Sequence, residues 1–119
     1  MSQLSPDPLQ ILFSEDVKSL DRQRIAEFLK PFVLFDRSSK QIGFLPEFEK
    51  IDNNTEKIEI ILLASKARSM LSEGTTDGMS QGEIIDLGVV PEGSVKSTLN
   101  KLSVRAKKIK KNGDGIYYL

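Results

Sequence analysis

The sequence predicts an α+β chain, mostly α, in which three helices lead into a C-terminal β-hairpin, preceded by an N-terminal helix and a second hairpin. Three observations carry that prediction. Two helix-opening signatures, Asn53 or Asn54 as cap with Glu56 three residues after Asn53, and Ser80 followed by Glu83, each stand before an apolar run. A short oxygen-bearing side chain there accepts from the first unpaired N–H groups while an acid three residues on reaches back. Val95, Leu99 and Leu102 are spaced i, i+4, i+7, one stripe of a helix. Finally, Asn112-Gly113-Asp114-Gly115 separates two extended arms, and both Asn-Gly and Asp-Gly favour the positive φ of hairpin turns.

In chain order, residues 1 to about 10 contain Pro6 and Pro8 among polar residues and read as a loose tail. A short apolar patch, Ile11 to Phe13, precedes Ser14-Glu15-Asp16, which can open a turn. Asp21 is then a helix cap, Ile25, Phe28 and Leu29 are one helical face, and Pro31 stops the helix. Phe32–Phe35 and Ile42–Leu45 read as the arms of a hairpin, with Pro46 ending the second arm. Glu47, Glu49 and Asp52 read as solvated acids of a loop. The phenylalanines at 28, 32, 35, 44 and 48 suit a second small core or a dimer contact.

From Asn53 the pattern sharpens. Ile58, Ile61, Leu62, Ala64, Met70 and Leu71 keep near-helical spacing, and Gly74 offers a stop. The helix opened by Ser80 carries Ile84, Ile85 and Leu87 and ends at Gly88. Val89-Val90 makes a tight connection, and Pro91 suits the first position of a third helix. That helix turns Gly93, Lys96, Ser97, Asn100, Lys101 and Val104 mostly away from its apolar stripe. On the closing hairpin, Ile109 with Ile116 and Tyr118 are expected to face the core. Residues 1–52 read as an N-terminal extension and 53–119 as the principal domain.

Charge supplies the functional clue. The 17 bases and 17 acids cancel, but not evenly. Residues 93–119 hold seven bases and one acid, Asp114; the remainder holds ten bases and 16 acids. Cysteine and histidine are absent, which removes disulfides, zinc fingers, thiol nucleophiles and imidazole acid–base schemes. No nucleophile–base pair, metal spacing or cofactor loop can be named, so no cofactor and no enzymatic activity are expected. Gly113-Asp114-Gly115 lacks the Lys-Ser/Thr of a phosphate loop. The start of the chain lacks a basic region followed by an apolar one, and no apolar run approaches a membrane span, so a cytoplasmic location and no membrane partner are expected.

Three helices, the last two joined by a short turn, and then a hairpin with a glycine-rich tip: over residues 53–119 this order resembles the winged helix-turn-helix superfamily, of the small bacterial or archaeal transcriptional-regulator type. The carrying residues are Ser80-Gln81-Gly82-Glu83-Ile84-Ile85-Asp86-Leu87-Gly88, then Pro91-Glu92-Gly93-Ser94-Val95-Lys96-Ser97-Thr98-Leu99-Asn100-Lys101-Leu102, and Gly113-Asp114-Gly115-Ile116-Tyr117-Tyr118. Such proteins often leave the recognition helix through a Gly-Leu-Ile step. Here Arg105-Ala106-Lys107-Lys108-Ile109 stands instead, so the helix runs longer or the wing starts differently.

The resemblance implies a recognition helix, about 91–104, in the major groove of double-stranded DNA, and a basic wing, about 106–119, on phosphates or the minor groove. The chemistry of the residues agrees with that role. Asn100 can pair with adenine, Lys101 or Lys96 with guanine, and Ser97 with a base or a phosphate. Ser94 and Arg105 flank them, and Lys107, Lys108, Lys110 and Lys111 form a backbone-clamping set. The expected function is that of a small transcriptional regulator acting as a homodimer, with residues 1–52 as the dimerisation or effector segment. The alternative is a winged-helix interaction module in a larger assembly, meeting an acidic protein; the pI near 6.3 favours it. The plainest reading of the lysines is a solvated face.

Overall fold

A computed structural model describes residues 14–72 and 74–119, with side chains from residue 22 onward. It is an α+β structure, about half helical, with five α-helices and two small sheets among the described residues. The tail at 1–10 and the patch at 11–13 lie outside them.

Helix α1 runs Ser14–Leu29, so Asp21 lies within it and not at its cap. Ser14 is as good an opening residue, and nothing between it and Asp21 breaks a helix. Of the expected face, Leu29 is buried and Ile25 half-buried, but Phe28 is 52% exposed, tilted against Phe32. Strands β1 (Val33–Phe35) and β2 (Ile42–Phe44) pair antiparallel, with Val33 opposite Phe44 and Phe35 opposite Ile42. The Asp36 carboxylate closes their turn by accepting from Ser39 N at 2.7 Å and Ser39 Oγ at 2.6 Å. Glu47 and Glu49 belong to a short helix, α2 (Pro46–Glu49), rather than a loop, since Pro46 at its first turn has no N–H to leave unpaired.

Helix α3 (Asn54–Leu71) opens at Asn53, whose Oδ1 accepts from Thr55 N and Glu56 N. It stops at Leu71, before Gly74. Met70 and Leu71 are exposed, unlike the apolar residues earlier in the helix. Strand β3 (Met79–Ser80) leads into α4 (Gln81–Asp86), whose Ser80–Glu83 capping box forms in full. Pro91 is the cap of α5 (Glu92–Asn100) and not its first helical residue. Val95, Leu99 and Leu102 are 0%, 0% and 1% exposed, the stripe that the spacing predicts.

After Asn100 the helix widens into a π-turn, Lys101–Arg105, closed by Ala106 N donating to Lys101 O. Lys107 then takes φ +53°, the left-handed step that glycine usually supplies, and Lys108 N returns to Leu102 O. The hairpin of β4 (Lys110–Lys111) and β5 (Ile116–Tyr118) follows. Its register is one residue off the expectation: Tyr117 is buried, while Ile116 and Tyr118 are half-buried. Tyr117 sits opposite Met79 on β3, also buried, because β5 is the central strand of a sheet ordered β3-β5-β4. Ile109 is buried as expected.

A continuous core joins these elements. Leu29, Val33, Ile42 and Phe48 belong to the same cluster as Ile58, Ile61, Leu62, Ile84, Val95, Leu99 and Leu102. Phe48 is fully buried there and Phe32, Phe35 and Phe44 pack against it, so these rings are not a separate core. Truncating a fully buried leucine such as Leu99 costs about 2–5 kcal/mol.

Candidate nucleic-acid interface

The geometry of this surface follows from the anchoring of α5. With Val95, Thr98, Leu99 and Leu102 buried, helical periodicity leaves Lys96, Ser97, Asn100 and Lys101 exposed, and all four are. Ser94 is half-buried, and its carbonyl accepts from Ser97 Oγ at 3.3 Å. Ser97, Asn100, Lys101 and Arg105 are brought together around an open hollow of about 390 Å³. Lys101 and Arg105, four residues apart across the π-turn, lie on one wall of it.

The same hollow is lined by Thr55, half-buried, a residue that sequence reasoning misses. It belongs to the first turn of α3, some 40 residues away in the chain, and no local signal ties it to Lys101. The positive end of the α3 dipole therefore opens beside two cations. Glu56 and Glu59 of the same helix line a different hollow, with Phe28, Phe32 and Leu119. Val104 is 64% exposed, on the outer side where helical spacing puts it.

Lys107, Lys108, Lys110 and Lys111 are all exposed on the joint and the C-terminal hairpin. Strand alternation separates the last two. Lys110 sits opposite Tyr118 and Lys111 opposite Tyr117, with Lys111 Nζ 5.5 Å from the Tyr117 ring centroid. The hairpin thus sends its two lysines to opposite faces. At its tip the Asn112 side chain accepts from Asp114 N and Ile116 N, and Gly115 takes φ +79°, which holds the tip in one shape.

Among the described residues the ion pairs are Lys50–Glu47 and Lys66–Asp77. None of the seven bases after Gly93 has an acid partner there. Each therefore keeps its charge available to an anion, at little cost in structure. Among the described residues there is also no group of three His, Cys, Asp or Glu that could hold a metal, and no helix long and apolar enough to cross a membrane. No family model, curated protein or solved structure matches the chain.

Proposed function

We propose that this chain is a winged helix-turn-helix DNA-binding protein, a small transcriptional regulator that reads duplex DNA with α5 and grips its backbone with the basic wing. One observation carries the reading. Seven exposed cations without acid partners among the described residues fall on consecutive elements, α5, its π-turn, the joint and β4, and two of them, Lys101 and Arg105, share one hollow with Ser97 and Asn100. Phosphate contacts from such side chains displace counterions and give affinity; Asn100, Lys101 and Ser97 carry donors and acceptors suited to base edges. The domain division at 52/53 belongs to this proposal, with residues 29–48 packed onto the DNA-binding unit.

A second reading, docking to an acidic protein, would use the same cations and is consistent with a net charge of zero. Selection from a random duplex pool separates the two. The DNA reading predicts an enriched motif that Asn100→Ala with Lys101→Ala relaxes; a pool without enrichment rejects sequence reading.

A further inference from the structure

The hollow beside α5 has a lining of one chemical kind. Thr55, Ser97, Thr98, Asn100, Lys101 and Arg105 surround it, with no acid and no apolar residue among them. Lys101 and Arg105 stand four residues apart, and neither has an acid partner among the described residues. Like charges at that spacing on one helix repel. An anion between them turns repulsion into attraction, and a guanidinium suits a phosphoryl group because its planar fork donates to two oxygens at once.

The hydroxyls narrow the choice of ligand. Ser97 Oγ donates to Ser94 O at 3.3 Å, so its proton is taken. Thr98 is 7% exposed, and its hydroxyl enters no hydrogen bond among the described residues. The fully buried polar atoms left without a partner there are Arg68 Nε and Asp77 Oδ1. The Thr98 hydroxyl is not one of them and therefore reaches the surface, where Thr98 lines the hollow. A hydroxyl on so buried a residue ordinarily has a partner, and here the place for one is the hollow. Thr55 adds a second hydroxyl from α3. Asn53 Oδ1 already takes Thr55 N and Glu56 N, so the site rests on side chains and not on open N–H groups of the helix end.

We infer that this hollow is a seat for a single phosphoryl group, held by Lys101 and Arg105 together with the hydroxyls of Thr55 and Thr98. The inference deepens the DNA-binding reading and rests on it for the source of the phosphate: a backbone phosphate in the seat anchors the end of α5 and leaves Lys96, Ser97 and Asn100 to the base edges. Free phosphate has the same chemistry, and competition separates the two.

The probe is inorganic phosphate, titrated into the isotope-labelled full chain at constant ionic strength and followed by amide shifts. Saturable shifts are expected at Thr55, Thr98, Lys101 and Arg105. Lys101→Gln with Arg105→Gln, both exposed sites, abolishes them. Thr98→Val keeps the shape, removes the hydroxyl and weakens binding about tenfold. Lys30→Gln, a cation outside the hollow, leaves binding as it was. Should Thr98→Val fail to fold, Thr55→Val and the glutamine pair decide. Shifts that do not saturate, that spread over all the lysines, or that survive the glutamine pair overturn the seat, as does a folded Thr98→Val chain that binds phosphate like the wild type. A labelled duplex keeps the readings apart. Phosphate that competes with the duplex identifies a backbone phosphate as the occupant, and a duplex that binds without competition identifies free phosphate. A chain that binds phosphate and ignores DNA sinks only the functional proposal; one that binds DNA and ignores phosphate sinks only the seat.

Discussion

Ser65 Oγ accepts a hydrogen bond from Gly78 N at 3.1 Å and lies 3.0 Å from Gly78 O and 3.1 Å from Thr76 O, between which its single proton is shared. Ser65 is fully buried in the middle of α3, and through this hydroxyl the helix holds the loop that delivers β3 to the sheet. Gly78 has φ +92°, and a Cβ there would collide with the Tyr117 carbonyl and stand 2.9 Å from Ile116 Cγ2. The attachment of the C-terminal hairpin to the helical unit thus depends on a serine and a glycine.

Ser65→Ala is expected to lower stability by about 1–3 kcal/mol, since it leaves the buried Gly78 N–H without a partner. Urea unfolding reads the loss, and amide exchange at Gly78 reads its location. Gly78→Ala is more damaging, at least about 3 kcal/mol, because backbone strain and collision add. A mild effect at both sites would contradict the proposed route of attachment.

Lys107 is the reverse case, a side chain where the backbone prefers none. Lys107→Gly is expected to stabilise the fold by about 0.5–1 kcal/mol, and Lys107→Val to destabilise it by more. Thermal unfolding of the two variants gives the sign directly.

The wing lysines are expected to differ in their effects. Lys111 lies over Tyr117, so Lys111→Ala costs about 0.5–1 kcal/mol of stability. Lys110 has no such contact, and Lys110→Ala should leave stability alone while reducing the salt slope of DNA binding by about 1. Equal effects from the two variants would contradict their placement on opposite faces.

Stability should be nearly flat from about pH 5 to pH 8, because no histidine is present to titrate there. Asp36 has its pKa lowered, first by the Ser39 hydroxyl, then by the Ser39 N–H and Lys40. A depressed carboxyl stabilises above its unfolded pKa, and that contribution fades only as pH falls below about 4. Lys50 is raised by Glu47, so its contribution is complete below its unfolded pKa and is lost only in strong alkali, above about pH 10. A chemical-denaturation series across pH checks both edges; a midpoint near neutrality would contradict them.

What could be read in advance followed local chemistry. The Ser80–Glu83 box, the Asn53 cap and the Val95–Leu99–Leu102 stripe each need only a few neighbouring residues, and each is present. The β5 register was not legible, because Ile116-Tyr117-Tyr118-Leu119 is apolar throughout and alternation cannot show which side turns inward. The start of α1 was misread because Ser14-Glu15-Asp16 suits a turn and Asp21 a cap, yet the helix takes in both. At the candidate site the segregation of charge was visible in the sequence. The meeting of Thr55 with Lys101 and the division of Lys110 from Lys111 depend on tertiary placement and pairing.

The central claim is that the cations of α5, its π-turn and the wing form a nucleic-acid face. Fluorescence anisotropy of a labelled duplex, titrated with the protein at increasing salt, tests it most directly. The account predicts binding at low salt whose logarithm falls linearly with log salt, with a slope smaller by about 2 in the Lys101→Ala, Arg105→Ala double variant. Absence of binding at low salt, or a slope indifferent to those two residues, would contradict it.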